Sequence, residues 1–216
     1  MKHRILAHRG FWTTPIEKNS REAILRAFDQ GYGIETDVRD LDGALVISHD
    51  PPRRSGDLMD IGAFLDLYRR AGTDGWLALN IKADGLAEPL KRALAAAEVT
   101  RYFVFDMSVP DHRMQLRAGL MSFTRRSDIE PAPALYEASA GVWLDAFDIS
   151  HAPAAWVAET LRDGKAAALV SPELHGRPHQ TAWAEWRAAL DLAKNEAVML
   201  CTDLPDQALA FFADGP

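Results

Sequence analysis

The sequence alternates between short apolar runs and amphipathic helical patterns along its whole length, and this alternation is the strongest constraint on its fold. Eight apolar runs of strand length are each followed by a segment with helical periodicity. A helix between two strands returns the chain to the same edge of a sheet, so the strands are predicted to be parallel. Eight such units close into a (β/α)8 barrel, the TIM-barrel architecture. A doubly wound open sheet is the structural alternative.

The predicted strands cover residues 4–7, 33–38, 76–81, 102–105, 119–123, 142–144, 166–170 and 197–200. Asn19 is predicted to cap the first helix, because Glu22 follows it in capping-box spacing. The other predicted helices cover residues 58–68, 86–97, 109–116, 131–138, 153–162, 181–194 and 205–212. An extra hairpin strand is expected after the second strand, where Asp42-Gly43 separates two apolar runs.

Length and charge narrow the functional classes. The 216 residues fit a single domain, predicted to span residues 1–216, and the formal net charge is −7. This charge argues against nonspecific binding to nucleic acid or to an anionic membrane. The N-terminal apolar run is too short for a signal peptide, and no stretch approaches a transmembrane length, so a cytoplasmic protein is expected. The single cysteine, Cys201, lies in an apolar run and is interpreted as a core residue.

Two carboxylates on the second predicted strand give the first indication of a site. Glu35 and Asp37 are two residues apart, so both side chains point to the same face of a strand. Two like charges on one face are costly when buried unpaired, and a divalent cation is the simplest group that stabilises them. The hairpin that follows brings His49 back toward them. The alternative is a half-exposed strand whose polar residues face water.

Barrel enzymes carry their active residues at the carboxyl ends of the strands. His8 and Arg9 follow the first strand directly, and Gly10 comes next. Polar residues at the strand ends are His8, Arg9, Glu35, Asp37, Asn80, Lys82, Asp106, Arg125, Asp145, Glu173 and Asp203. For the aspartates at 106, 145 and 203 we favour the simpler interpretation that each caps the following helix.

Together, A-H-R-G at residues 7–10, E-x-D at 35–37 and H-D at 49–50 resemble the glycerophosphodiester phosphodiesterase family. The resemblance is strong over residues 4–52 and weaker beyond, where T-D-x-P at residues 202–205 resembles the closing motif of the family. It implies a metal-dependent hydrolase of the phosphatidylinositol-phospholipase-C-like superfamily, acting on a small glycerol- or sugar-linked phosphodiester.

The resemblance also implies individual roles. His8 and His49 would form the acid–base pair, and Glu35 and Asp37 would bind Mg²⁺ or Ca²⁺. A neighbouring hydroxyl of the alcohol would attack phosphorus and give a cyclic phosphate that water opens. Arg9 would contact phosphate oxygens, for which its planar guanidinium is suited.

The third predicted strand departs from the family pattern. The family has E-x-K, whereas this chain has Asn80-Ile81-Lys82. The amide oxygen of Asn80 can still bind a hard cation, but it adds no negative charge, so weaker metal binding is expected. Glu173 is the candidate for a compensating ligand. Lys82 is expected to meet phosphate or the developing alkoxide, and the alternative is a salt bridge to Glu35 or Asp37.

Further substrate contacts are predicted at the strand ends and in the loops. Trp12 could stack on a sugar or glycerol face, and Arg125 and His175 could contact the substrate, although His175 could equally belong to a solvated loop. The family's insertion after the H-D motif is nearly absent. An open site is therefore expected, or one closed by other loops or by a second subunit of a homo-oligomer.

Two other functions remain open from the sequence. A binding protein for phosphodiesters or sugar phosphates would result if the Asn80 change has abolished catalysis. An aldolase would use Lys82 to form a Schiff base with a carbonyl substrate. That second hypothesis leaves His8 and His49 without a role.

Overall fold

The structure is a computed structural model that describes residues 1–54 and 58–213. Nine strands lie in the described part: β1 (Ile5–His8), β2 (Gly33–Leu41), β3 (Ala44–Ile47), β4 (Leu77–Ile81), β5 (Tyr102–Phe105), β6 (Phe123–Arg126), β7 (Gly141–Leu144), β8 (Ala166–Val170) and β9 (Val198–Thr202). The helices are α1 (Arg21–Asp29), α2 (Ile61–Ala71), α3 (Ala87–Ala96), α4 (Val109–Ala118), α5 (Ala154–Arg162), α6 (Gln180–Ala189) and α7 (Pro205–Ala213).

Eight parallel strands form a nearly closed barrel, as the alternation predicts. The order around the barrel is β5-β4-β2-β1-β9-β8-β7-β6, and every pairing along it is parallel. Between β5 and β6 the described residues form a single bridge, from Val104 to Ser122. The barrel architecture is therefore confirmed, and the open-sheet alternative is wrong. The single domain over residues 1–216 stays a prediction, and residues 55–57 and 214–216 of that range lie outside the described part.

The extra hairpin strand is also present. β3 pairs antiparallel with β2, and Leu41 lies opposite Ala44. The two turn residues, Asp42 and Gly43, have φ angles of 53° and 86°. Positive φ at both positions is the geometry of a type I′ turn, which matches the twist of a hairpin and favours Asp-Gly.

The core has two layers. Side chains between the sheet and the helices make up the larger layer. A second cluster fills the barrel interior, where Phe103 stacks on Phe123 and Phe105 stacks on Trp143, with ring centroids 3.9 Å apart in each pair. The interior is therefore a packed aromatic plug, not a channel. Trp183 and Trp186 are buried in the outer layer, as expected for packing residues.

Three local predictions are wrong. The side chain of Ser20, not of Asn19, caps α1 by accepting a hydrogen bond from the Ala23 N–H. Residues 131–138 form no α-helix, and only a 3₁₀ turn occurs there, Tyr136–Ala138. The fifth barrel strand is Phe123–Arg126, not residues 119–123. The prediction missed it because its two consecutive arginines hide the alternation that is typical of a strand.

No helix in residues 1–54 and 58–213 has the length and apolar character needed to cross a membrane.

Candidate active site at the C-terminal face

A ring of polar side chains lies directly above the aromatic plug. In a strand, residues two apart face the same side. Leu6, Ala78, Phe123, Trp143 and Cys201 all belong to the interior cluster. The residues two positions further along the chain are His8, Asn80, Arg125, Asp145 and Asp203. The strand period therefore places these five polar residues around the mouth of the barrel.

His8 is held from both sides. Its Nδ1 lies 2.7 Å from Asp203 Oδ1, and its Nε2 lies 3.9 Å from Glu35 Oε2. Asp203 also meets the Lys18 ammonium, at 3.4 Å. Burial lowers the pKa of His8 below its usual value, and the neighbouring carboxylate of Asp203 opposes this shift without reversing it. With Nδ1 bonded to a carboxylate, Nε2 is the nitrogen left to accept a proton.

A tight turn after β1 brings Arg9 over the second strand. Arg9 and Gly10 have φ angles of 57° and 90°. A Cβ at Gly10 would lie 2.8 Å from the backbone of Ala23, so α1 can approach this turn only with glycine there. The Arg9 carbonyl accepts a hydrogen bond from the Asn19 N–H, at 2.8 Å. In the Arg9 side chain, Nε lies 3.1 Å from Asp37 Oδ2 in an ion pair.

Glu35, Asp37 and Asn80 form the buried floor of the site. Asp37 and Asn80 are register partners on β2 and β4, and Asn80 donates from Nδ2 to Glu35 Oε1 at 3.3 Å. Asp37 accepts a hydrogen bond from Asn19 Nδ2 at 2.9 Å, and Lys82 Nζ lies 3.6 Å from its other oxygen. The salt-bridge alternative for Lys82 is thus present in the structure.

Three oxygen atoms of this floor are buried without a hydrogen-bond partner. They are Glu35 Oε2, Asp37 Oδ1 and Asn80 Oδ1. Burial, and then the charge of Asp37, raise the pKa of Glu35 to about 8. Unpartnered buried oxygens are costly, and hard divalent cations prefer oxygen ligands. The donor set therefore fits Mg²⁺ or Ca²⁺, although the described residues contain no group of three or more His, Cys, Asp and Glu suited to a metal ion.

His49 lies beside the site in a more exposed position. The N–H of Ser48 donates to the Asp37 carbonyl at 3.0 Å, so the hairpin does return the chain to the carboxylates. The imidazole of His49 is 44% exposed, and its Nδ1 meets Asp50 Oδ1 at 2.8 Å. Together with Arg9, it lines an open cleft of about 790 Å³ between the loops that follow β1 and β3.

A chain of ion pairs continues from Asp37 across the mouth. Lys82 lies 3.6 Å from Asp106 as well as from Asp37. Arg125 meets Asp106 at 2.5 Å and Glu130 at 2.6 Å. Both cations thus point into the ring, where they could contact an anionic ligand.

Glu173 and His175 lie in the short 3₁₀ turn that follows β8. Glu173 Oε1 accepts hydrogen bonds from Thr202 Oγ1, at 2.5 Å, and from the Asp203 N–H, at 3.1 Å, and its other oxygen accepts from Ser171 Oγ. Both oxygens therefore already accept hydrogen bonds from the protein. A metal-binding role for Glu173 stays a prediction, and it would require these bonds to break.

His175 and Trp12 each have a defined partner. His175 Nε2 lies 2.7 Å from Asp145 Oδ1. The Trp12 indole donates to the His8 carbonyl at 3.1 Å, and the Lys18 ammonium sits 4.5 Å from the centre of its ring. Trp12 thus contributes to the loop around His8, and a stacking role toward substrate remains a prediction.

Sequence reasoning gave three aspartates of the site the wrong role and missed two further residues. The aspartates at 106, 145 and 203 do not cap helices. Asp106 pairs with Lys82 and Arg125. Asp145 pairs with His175, and Asp203 pairs with His8. Asn19 bridges Thr36 and Asp37, and Lys18 contacts Asp203. The resemblance of residues 202–205 to a closing family motif was the one signal that pointed to Asp203.

Comparison with known proteins links this geometry to solved structures. No family model and no curated protein matches the sequence. The fold matches a protein from Galdieria sulphuraria, provisionally named a glycerophosphodiester phosphodiesterase, with a TM-score of 0.75, 15% identity and coverage of 97% of each chain.

Two further solved structures are similar. A glycerophosphodiester phosphodiesterase from Agrobacterium tumefaciens has a TM-score of 0.68 and 17% identity, covering 97% of this chain and 99% of that one. An Oleispira antarctica phosphodiesterase in complex with the product sn-glycerol-3-phosphate has a TM-score of 0.64 and 16% identity, covering 96% of each chain. At these identities the comparison shows a shared fold: the chain is a TIM barrel of the same form as these phosphodiesterases over nearly its full length.

Proposed function

We propose that this protein is a metal-dependent phosphodiesterase that hydrolyses a small glycerol- or sugar-linked phosphodiester. The observation that carries the proposal is the arrangement around His8. The His8 imidazole, whose pKa burial lowers and which Asp203 orients, lies 3.9 Å from the buried Glu35 carboxylate. The second buried carboxylate, Asp37, pairs with Arg9 and Lys82. This combination suits proton transfer next to a phosphate group. The Oleispira antarctica phosphodiesterase, which shares the fold, binds sn-glycerol-3-phosphate.

The cations of the ring would hold the phosphate. Arg9 presents a planar guanidinium at the edge of the carboxylates, and Lys82 and Arg125 point into the mouth from the ends of β4 and β6. Arginine pairs with phosphate oxygens through two parallel hydrogen bonds, and lysine acts as a point charge. A bound phosphate would compete with Asp37 and Asp106 for these three side chains.

Glu35, Asp37 and Asn80 would hold the divalent cation, whose chemistry is to neutralise charge on the phosphate and to position it. In the first step, a hydroxyl of the alcohol next to the ester forms a bond to phosphorus and passes its proton to His8 Nε2. The bond from phosphorus to the leaving alcohol breaks, and His49 donates a proton to that oxygen. Water then opens the cyclic phosphate by the reverse transfers, which restores both histidines.

The test is a metal titration of chelator-treated protein. Mg²⁺ or Ca²⁺ is added stepwise while the hydrolysis of glycerophosphocholine is measured. Metal-dependent turnover that disappears in both His8→Ala and His49→Ala is the expected result. Full activity without metal, or full activity in both variants, would show that the proposed function or its assignment of roles is wrong.

Asn80 supports a second candidate, a binding protein without turnover. Its amide nitrogen donates to Glu35 at a position where the family has a third carboxylate. A binding protein would retain affinity for glycerol 3-phosphate but would hydrolyse no diester. Asn80→Glu would then restore hydrolysis, whereas in an active enzyme it would only change the metal affinity.

The Schiff-base alternative has less support. Lys82 lies between two carboxylates, Asp37 and Asp106, at 3.6 Å from each. A Schiff base needs the Lys82 nitrogen free to attack a carbonyl carbon, and both ion pairs would first have to break.

A further inference from the structure

Three apolar side chains project from the loops at the mouth of the barrel. Ile129 follows β6, and Phe147 and Ile149 follow β7. Their exposed fractions are 60%, 37% and 37%. We call these three residues the apolar rim. Single exposed apolar residues are ordinary, but several in adjoining loops beside a candidate site often mark a binding surface.

Two charged side chains, Asp128 and Arg177, fix the loop that carries Phe147 and Ile149. Asp128 accepts hydrogen bonds from the N–H groups of residues 147, 148 and 149, at 2.7, 2.7 and 3.2 Å. Arg177 donates to the carbonyls of residues 146, 147 and 149, at 2.5, 2.9 and 2.6 Å. The backbone of an exposed loop is thus held by six hydrogen bonds, while its apolar side chains remain open to solvent. Such preorganisation lowers the entropic cost of binding a ligand.

The rim adjoins the cations proposed to hold phosphate. The Phe147 ring lies 5.5 Å from the His175 ring and 5.9 Å from the guanidinium carbon of Arg125. Arg125 in turn connects through Asp106 to Lys82. A ligand whose phosphate reached Arg125 would therefore have the Phe147 ring within reach of its substituent.

We propose that the apolar rim is a subsite for a hydrocarbon substituent on the alcohol of the phosphodiester substrate. This inference rests on the proposed function and narrows the substrate class to diesters that carry an alkyl or acyl group beyond the phosphate. Asp128 and Arg177, which we call the charged clamp, position Phe147 and Ile149, and Phe147 has the largest side chain of the rim. Burying part of an alkyl chain against it should increase affinity about 10-fold over a short-chain analogue.

Binding is measured first, because it does not depend on turnover. Ethyl phosphate and octyl phosphate are titrated calorimetrically into the wild-type protein, Phe147→Ala and Ile149→Ala. Met114→Ala is the matched control, because Met114 is similarly exposed, at 49%, on the outer surface of α4. The expected result is a preference for octyl phosphate that falls about 10-fold in Phe147→Ala, less in Ile149→Ala, and not at all in the control.

A variant of the clamp tests positioning. Asp128→Ala removes three hydrogen bonds from the loop and substitutes none of the three rim residues. It should reduce the octyl preference with a small change in melting temperature. Equal affinity for both phosphates in the wild-type protein, or a preference that survives Phe147→Ala, would overturn the inference.

Hydrolysis separates this inference from the proposed function. The kcat/KM values for the ethyl and octyl diesters of glycerol 3-phosphate are compared in the same variants, and their ratio should follow the binding ratio. An octyl preference in binding without hydrolysis of either diester would contradict the proposed function and leave the subsite standing. Sedimentation with phosphatidylcholine vesicles that requires Phe147, without any octyl preference, would instead make the rim a membrane contact and overturn the subsite.

Discussion

The two ends of the barrel bury charged side chains in opposite ways. At the N-terminal end, Arg4 is 2% exposed and donates four hydrogen bonds to carbonyl groups between residues 192 and 198. It also lies 3.3 Å from Glu196. At the C-terminal end, Glu35 and Asp37 are equally buried, yet one oxygen of each lacks a hydrogen-bond partner. Arg4 Nε also lacks a partner, but both terminal nitrogens of its guanidinium are bonded to backbone carbonyls. The chain therefore supplies most of the hydrogen bonds of Arg4, whereas each of the two carboxylates keeps one oxygen without any.

The difference indicates what each end is for. A buried charge with its hydrogen bonds made stabilises a fold, whereas an unsatisfied one costs stability and persists where it serves a ligand. Barrel enzymes follow this division, with stability at the N-terminal face and catalysis at the C-terminal face. The contrast between Arg4 and Glu35 therefore predicts that substitutions at the two ends will affect different measurements.

The largest expected effect is on catalysis at the C-terminal end. His8→Ala should lower kcat about 1000-fold, because a positioned acid–base group contributes on the order of 10² to 10⁴. The matched control is His3→Ala at the N-terminal end, where His3 meets the exposed Glu196 at 3.0 Å. Steady-state kinetics should show little change in the control. Similar losses in both variants would remove the functional distinction between the two ends.

Arg4→Met should act on stability. Removing the guanidinium leaves several buried carbonyls without donors, so we expect a loss of about 3 kcal/mol in the free energy of unfolding, measured in urea. The value of kcat at low temperature should be preserved. Glu196→Gln serves as the control, because Glu196 is 71% exposed and its ion pair should contribute less than about 1 kcal/mol. A large fall in kcat in folded Arg4→Met would contradict the division between the ends.

The sequence predicts the barrel better than it predicts the contacts of the site. Strand and helix periodicities are local, so they identify seven of the eight barrel strands and misplace the fifth. They also place His8, Glu35, Asp37 and Asn80 at the carboxyl ends of their strands. The helix predicted after β6 is wrong, because the segment forms a loop and a 3₁₀ turn. The Thr124 hydroxyl donates a hydrogen bond to the carbonyl of residue 134 in that loop. No local pattern distinguishes that arrangement from a short helix.

The missing contacts connect distant parts of the chain. His8 and Asp203 are separated by 195 positions, and Lys18 and Asp203 by 185. Only closure of the barrel brings β1 beside β9, so the periodicity of either strand carries no information about the pair. An aspartate before a helix is most often a cap, and here that general rule gave the wrong role.

The acidic floor should make the metal-free protein sensitive to pH. Burial raises the pKa of Glu35 from 4.5 to about 8, so the folded chain keeps a proton that the unfolded chain releases. The free energy of unfolding should therefore fall as the pH rises from about 4.5 to about 8. Urea titrations of chelator-treated protein should show this fall, and Glu35→Gln should flatten it. A wild-type profile as flat as that of Glu35→Gln would mean that the carboxylate is already satisfied.

Adding Mg²⁺ or Ca²⁺ offers a second measurement on the same site. A cation that binds the ionised carboxylates stabilises the folded state, most strongly at the high end of this pH range. The pH dependence should therefore weaken with metal. Arg4 is the internal contrast, because its partners are backbone carbonyls that do not titrate, and Arg4→Lys should leave the shape of the profile unchanged.

The smallest effect concerns the partner of His8. Asp203 raises the pKa of His8 against the larger, opposite effect of burial, so Asp203→Asn should lower that pKa further. The neutral base would then persist to lower pH, and the acid limb of the kcat/KM profile should move in that direction. We also expect kcat to fall about 10-fold, because the imidazole loses the carboxylate that fixes its tautomer. Asp203→Glu, which keeps the charge, should restore much of the rate. An unmoved acid limb in Asp203→Asn would limit Asp203 to a structural contact with Lys18 and would leave His8 without an orienting partner.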